Sequence, residues 1–477
     1  MRHSAATTVA NAYRLVTKHD MRILIINEVL GWSSTGKIAG DLAKQYEAQG
    51  WEAKVAYGRS GYVPEAYQKY GIRIGNDPDV RINALKARLF DNEGLNAKGA
   101  TRRFLKWAEE YNPDLLWLHN LHGYYINYEL LFDWIKSRPQ MEVKWTLHDC
   151  WAFTGHCGYF TMVKCTQWQS HCGYSKCPQS NRYPKSILWS NAKENFKRKR
   201  EAFTGVRNLT IVTPSHWLEG LVKQSFLQEY PVEVHHNTIN TDVFKPTPSD
   251  FRRRYGLEDK IVILGVANAW DDRKGLQDFC RLATMLDDRY AIVLVGLTQK
   301  QIKKLPKEIK GMQKTYSPTE LAAIYTAADV YVNPSREETY GMTTVEAEAC
   351  GTKAIVYKGT ACEEVVASVV GDETKESRSG GTATESAKNK LTQSAQNETA
   401  VSPGETDRIP VRGIAVELYV NALYEAITGQ NYEGMSGQEE TCKTGKTDNT
   451  GNTGNLNRKR KASTTGKESH KTGGRLA

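Results

Sequence analysis

Along the first half of the chain, apolar residues gather into short solid runs, and the stretches between those runs carry a helical period. From Met21 the run "RILIIN" reads as a buried strand. A glycine-containing loop, Gly31 to Thr35, comes next. Ile38, Leu42 and Tyr46 then recur at every fourth position, one face of an expected helix that Gly50 stops. "EAKVAYG", "DLLWLHN", "VKWTLHD" and "LTIVTPS" repeat the strand signal, with helical stretches between them. Strands alternating with helices predict a parallel sheet covered on both faces.

The pattern restarts after "VEVHHNTINTDVFKPTPSDF", which reads as a polar linker, with the strands "KIVILGVAN", "RYAIVLVGL" and "DVYVNPS". The expected fold is therefore α/β, two Rossmann-like domains facing each other across a cleft, spanning 21–234 and 235–370. Ligands of such folds bind at the carboxyl ends of the strands. From 371 to 408 Ser, Thr, Glu, Lys and Gly dominate, which predicts a disordered insertion. "GIAVELYVNALYEAITG" predicts a helix within 409–429 that completes the fold, and 430–477 a disordered basic tail containing "NRKRK". That tail reads as solvated, with a nuclear or nucleic-acid signal as the alternative. Residues 1–20 form an N-terminal extension without the apolar core of a secretory signal. The extension lacks acidic residues before Asp20, which faintly resembles a transit peptide; an overlong gene start with Met21 as initiator is the simpler reading.

Composition narrows the classes. The 477 residues are 40% hydrophobic and 25% charged, enough for two or three domains with real cores. No apolar stretch approaches the roughly 20 residues of a membrane span. A net charge of +10 favours acidic partners such as nucleotides, anionic lipid surfaces or nucleic acid. A reducing cytoplasm is the default compartment, with most of the nine cysteines as thiols.

Three stretches carry candidate chemistry. "GWSSTGKI" has the Gly-x4-Gly-Lys of a phosphate-binding loop, but Ile38 stands where a triphosphatase needs a magnesium-binding hydroxyl. In "DVYVNPSREETYGMTTVEAEACGTKAIVY", Gly341 is expected to open a helix and Gly351 to close it. Glu338 then sits in the loop and Glu346 in the first turns, beside free N–H groups that suit a diphosphate. Thr343 and Glu346 also fit a capping box, which needs no ligand. Cys157, Cys165, Cys172 and Cys177 lie close together, with His156 and His171 nearby. A structural zinc, free thiols and disulfides all stay open, since no tight Cys-x2-Cys pair is present.

"PSREETYGMTTVEAEACG" resembles the Glu-x7-Glu signature of family 4 retaining glycosyltransferases, which have the two-domain GT-B fold. "ELAAIYTAADVYVNPS", "GTACEEVV", "NTINTDVFKP" and "VTPSHWLEGLV" resemble that family's flanking segments. The likeness runs from Met21 to about Val370 and resumes near Leu423; it is closest to the colanic-acid and capsular exopolysaccharide type. It implies transfer of a sugar from a nucleotide-sugar donor with no cofactor required for catalysis. It assigns Glu346 to the donor ribose and Glu338 to the transferred sugar. The backbone of Tyr340, Gly341, Met342 and Thr343 would lie near the diphosphate, with Lys274 contacting phosphate. Arg273 is the candidate to replace an arginine whose usual place reads "GVANAW"; the alternative for these two cations is a solvated loop pair. His148 matches a histidine near the transferred sugar, with Asp149 beside it. Gly36 would approach the donor from the other domain.

On the acceptor side the likeness implies Ser34 and Thr35, with His119 and His122 as further candidates or simply loop hydrogen-bonding residues. The implied acceptor is a glycan or lipid-linked oligosaccharide at the inner face of the membrane, in an otherwise cytoplasmic protein without a specific nucleic-acid partner. "KENFKRKREAF", with Phe196 and Phe203, is the candidate contact for an anionic membrane; its alternative is a solvated helix face. A non-catalytic nucleotide-sugar binder and a GT-B epimerase are the rival functions.

Overall fold

The first apolar run becomes a strand buried on both faces. In the computed structural model, β1 (Arg22–Asn27) places Ile23 and Ile25 in one core and Leu24 and Ile26 in another, all four fully buried. Full burial of such a side chain contributes about 1.5–3 kcal/mol. The structure describes residues 21–366 apart from 60–62, 174–176, 183, 189, 316 and 358. The expected extension 1–20, insertion 371–408, helix 409–429 and tail 430–477 lie outside the described residues.

After β1 come α1 (Ser33–Ala48), β2 (Glu52–Tyr57), β3 (Gly71–Arg73), α2 (Asp77–Phe90), α3 (Lys98–Tyr111) and β4 (Leu115–Leu118). Then follow α4 (Tyr128–Lys136), β5 (Glu142–Thr146), α5 (Ala192–Phe203), β6 (Leu209–Thr213), α6 (His216–Val222) and β7 (Val232–Val234). Among the described residues these strands form one parallel seven-stranded sheet, ordered β3-β2-β1-β4-β5-β6-β7. The second half contains β8 (Ile261–Val266), α7 (Leu276–Met285), β9 (Tyr290–Val295), β10 (Ile309–Met312) and α8 (Pro318–Thr326). It closes with β11 (Val330–Asn333), α9 (Met342–Ala349) and β12 (Ala354–Val356). Its parallel sheet is ordered β10-β9-β8-β11-β12, so both sheets reverse direction beside their own first strand. Such switch points are where doubly wound folds bind ligands.

Three expectations need correction. The α1 helix begins at Ser33, inside the expected loop, and buries Gly36, Ala39, Gly40 and Ala43, while Leu42 and Tyr46 are only partly covered. The cause is Tyr67, which lies so close over Gly40 that a Cβ there would stand 2.5 Å from its ring. "VEV", read as linker, is β7 and completes the first sheet. Phe196 and Phe203 of α5 are buried: Phe203 packs between Phe132 and Trp145, with ring centroids 4.6 and 4.9 Å away. They cannot face a membrane. No helix among the described residues is long and apolar enough to cross one.

Candidate functional site

Two histidines end up ring to ring because neighbouring parallel strands end side by side. His119 follows β4 and His148 follows β5, which pair from Leu115↔Glu142 to Leu118↔Trp145. Their rings stack at 14° with centroids 5.3 Å apart, and His119 Nδ1 lies 3.0 Å from His148 Nε2. Burial lowers the pKa of both, that of His148 to about 4, so both imidazoles are neutral at pH 7 and share one proton in a hydrogen bond. Trp145 Nε1 donates to the His119 carbonyl at 3.0 Å, fixing the backbone beneath the pair.

Beside them His122 and Asp149 form an ion pair at 3.1 Å. Burial opposes the charge on His122, but the Asp149 carboxylate overrides it and holds the pKa at about 9. Asp149 also accepts the Trp151 N–H at 2.9 Å. Glu93, buried and raised by that burial, accepts the Gly123 N–H at 2.9 Å and positions the same loop. Thus His119, His122, His148 and Asp149 belong to one cluster.

The second sheet brings the other half. Lys274 is ion-paired with Glu338, and Arg273 Nη1 lies 4.0 Å from the same carboxylate oxygen. Arg273 Nη1 also donates to the Glu337 carbonyl at 2.8 Å, and its guanidinium covers the Tyr159 ring at 4.2 Å. The side chains of Arg273 and Lys274 are only 20% and 19% exposed, so they are not a solvated loop pair. Burial raises the pKa of Glu338, yet Lys274 and Arg273 more than offset this and keep it ionised. Gly275, at φ +73°, lets this loop meet the next: an added Cβ would stand 2.7 Å from both Cγ and the carbonyl oxygen of Pro334.

Gly341, at φ +90°, caps α9, and no side chain caps the helix. The capping-box reading therefore fails. Thr343 Oγ1 accepts from Tyr331 at 2.7 Å, and Glu346 accepts from Tyr325 at 3.0 Å. Burial raises the Glu346 pKa to about 7, against the Tyr325 hydroxyl and the charge of Lys37 from α1. Lys37 of "GWSSTGKI", absent from the sequence-based candidates, is the positive charge from the first half that lowers the Glu346 pKa. Gly36 is packed against its own loop: a Cβ there would meet Val29 Cγ2 at 2.9 Å, and its carbonyl accepts the Gly31 N–H at 2.9 Å. Its role is to let α1 pack on its own loop. Ser34 is exposed and Thr35 half-buried on the first turn of α1.

The halves meet directly. Thr339 Oγ1 donates to the His148 carbonyl at 3.0 Å, and Ser215 Oγ donates to the Thr339 carbonyl at 2.8 Å. Tyr340 is buried, its ring 5.6 Å from that of His236. Glu337, fully buried and absent from the sequence-based candidates, accepts the backbone N–H groups of Phe160 and Thr161 at 2.6 and 2.9 Å. A third N–H, from Met162, lies at 3.4 Å. No local pattern marks Glu337, because its partners are far away in sequence.

Cys157, Cys165, Cys172 and Cys177 line one small cavity together with Phe160 and Trp168. All four are thiols. Burial pushes the Cys172 pKa up to about 12 and that of Cys157 well above its ordinary value. Among the described residues no group of three or more His, Cys, Asp or Glu side chains stands in metal-holding geometry.

Residues 249–376 match the family model of glycosyl transferases group 1. The chain is 30% identical over 192 residues to the putative colanic acid biosynthesis glycosyl transferase WcaC of Escherichia coli, covering 38% of this chain and 45% of that protein. It is 23% identical over 257 residues to D-inositol 3-phosphate glycosyltransferase of Corynebacterium jeikeium, covering 49% of this chain and 57% of that one. The chain thus spans about half the length of the curated relatives it matches. Among solved structures, sucrose-phosphate synthase from Thermosynechococcus elongatus superposes with a TM-score of 0.50 at 16% identity, covering 70% of this chain and 81% of that one. The fold is GT-B.

Proposed function

We propose that the chain is a retaining glycosyltransferase that moves a sugar from a nucleotide-sugar donor to a hydroxyl of a glycan or lipid-linked oligosaccharide in surface-polysaccharide assembly. One observation carries this reading: two part-buried cations, Arg273 and Lys274, converge on Glu338 beside the uncapped amino terminus of α9, with Glu346 one helical segment further on. A diphosphate brings the negative charge that competes with Glu338 for both cations, and it finds free N–H groups at the helix start. Glu338, released from the cations, turns to hydroxyls of the transferred sugar, and Glu346 accepts from the ribose.

In the reaction the bond from the anomeric carbon to the diphosphate oxygen breaks, and the acceptor oxygen bonds to that carbon on the same face. The acceptor proton passes to the departing diphosphate. Arg273, Lys274 and the α9 terminus stabilise the charge that develops there. His148, held by His119 and neutral, borders the sugar as a hydrogen-bonding partner, and the His122–Asp149 pair keeps the loop beneath it rigid. Glu338 and Glu346 are not the acid and nucleophile of a hydrolase in this scheme.

Titration with a panel of UDP-, GDP- and ADP-sugars, followed by product analysis with and without an acceptor glycan, tests the reading. Saturable binding and acceptor-dependent transfer with retained anomeric configuration are expected. Binding without transfer supports a non-catalytic binder, and conversion of the donor without acceptor supports an epimerase; either overturns the proposal.

A further inference from the structure

The α2 helix shows its apolar residues to solvent. Its inner face is small, with Asn83 and Ala87 buried, whereas Ile82 and Leu85 are 53% and 58% exposed. Leu89, half-buried, follows at the i, i+3, i+7 spacing of one helix face, and Phe90 beside it is 44% exposed. The stripe extends beyond the helix, because the Ile187 N–H donates to the Arg88 carbonyl at 2.8 Å and brings up Ile187 and Leu188, 57% and 56% exposed. Exposed Arg81, Lys86, Arg88 and Lys185 border these residues. The acidic residues of α2 sit in its first turn: Asp77 is paired with Arg73, and Asp79 lies 4.0 Å from Arg103. Among the described residues no carboxylate pairs with Arg81, Lys86 or Lys185.

We infer that this face docks on an anionic lipid bilayer, with Ile82, Leu85, Ile187 and Leu188 entering the headgroup boundary and the four cations meeting lipid phosphates. An apolar stripe edged by one sign of charge is the surface such an interface requires. The contact expected on α5 lacks the apolar half, since Phe196 and Phe203 are buried there. The docking face also backs the cluster at the carboxyl ends of β4 and β5. Asn83 Nδ2 donates to the Tyr124 carbonyl at 3.1 Å, in the loop that carries His122. A lipid-anchored acceptor lying in that bilayer would present its sugar next to this loop. That last step rests on the transfer reading; the docking surface does not.

Co-sedimentation of the full chain with phosphatidylcholine vesicles, with and without phosphatidylglycerol, tests the inference. The wild type is expected to bind the anionic vesicles and not the neutral ones. Ile82→Glu/Leu85→Glu should lower partitioning at least about 10-fold. Arg81→Gln/Lys86→Gln should lower it by about 10-fold and flatten its salt dependence. Lys197→Gln/Arg200→Gln on α5 should bind like wild type. All four altered α2 side chains are exposed, so an unchanged thermal melt confirms folding. Failure of the wild type to bind, or wild-type binding by Ile82→Glu/Leu85→Glu, overturns the inference. Light scattering that finds a wild-type dimer broken by Ile82→Glu/Leu85→Glu, without lipid binding, assigns the face to a second copy and also overturns it. Donor affinity measured on the same variants separates the two readings, since loss of lipid binding leaves it unchanged.

Discussion

His119 Nδ1 and His148 Nε2 lie 3.0 Å apart between stacked rings, so the histidine beside the proposed sugar site is held by a second histidine rather than a carboxylate. His148→Ala is expected to lower turnover about 100-fold with the donor dissociation constant unchanged, because a misplaced partner costs rate without costing diphosphate contacts. His119→Ala, acting through His148, should lower kcat about 10-fold and leave donor KM alone, with His119→Asn recovering part of the loss. Steady-state kinetics with calorimetric donor titration measures both; a KM effect of equal size would make His119 a structural residue only.

Glu346 is raised to about 7 by burial, which means the fold favours its protonated form. The sign follows: its contribution to stability is intact below about pH 4.5 and is lost as pH rises through about 7. Glu346→Gln should therefore match wild type in acid and exceed it by up to about 3 kcal/mol above pH 7, while donor affinity falls at least about 10-fold. Denaturation midpoints across pH 4 to 9, paired with donor titrations, check this. Equal stability at pH 8 would count against it.

Glu337 accepts backbone N–H groups from Phe160 and Thr161, and removing the carboxylate strands those buried donors. Glu337→Ala is expected to cost about 2–4 kcal/mol and to raise protease sensitivity in the segment around Phe160. Limited proteolysis with mass mapping of the cuts reads this out. Cleavage unchanged in that segment would show that other contacts hold it.

A Cβ at Gly341 would stand 2.5 Å from Cys362 Sγ on a backbone at φ +90°. Gly341→Ala should cost about 1–3 kcal/mol and weaken donor binding by displacing the first turn of α9. Adding Cys362→Ala relieves the clash but not the backbone strain, so the double variant should recover only part of the stability. Full recovery would assign the whole cost to packing.

The long strands were legible because β1, β8 and their neighbours are buried on both faces and leave solid apolar runs. The edge strands β3, β7, β10 and β12 were not, since three or four residues on a sheet margin leave no pattern to read. Glu338, Arg273 and Lys274 could be named from local order, and they do converge. Glu337, Lys37 and the inverted face of α2 escaped for one reason. Each is defined by what folds against it, and a hydrophobic period reports that a helix has an apolar side without saying which side is covered.

Gly275 lies against Pro334 where the loop after β8 meets the loop after β11, and it could not gain a Cβ there. The spacing between the cations and Glu338 is therefore set by backbone abutment rather than by rotamer choice. In the proposed site, residues facing the sugar can drift and change which donor is accepted, while the grip on the diphosphate stays at one fixed gauge. Any insertion in either loop would alter that gauge for every donor at once.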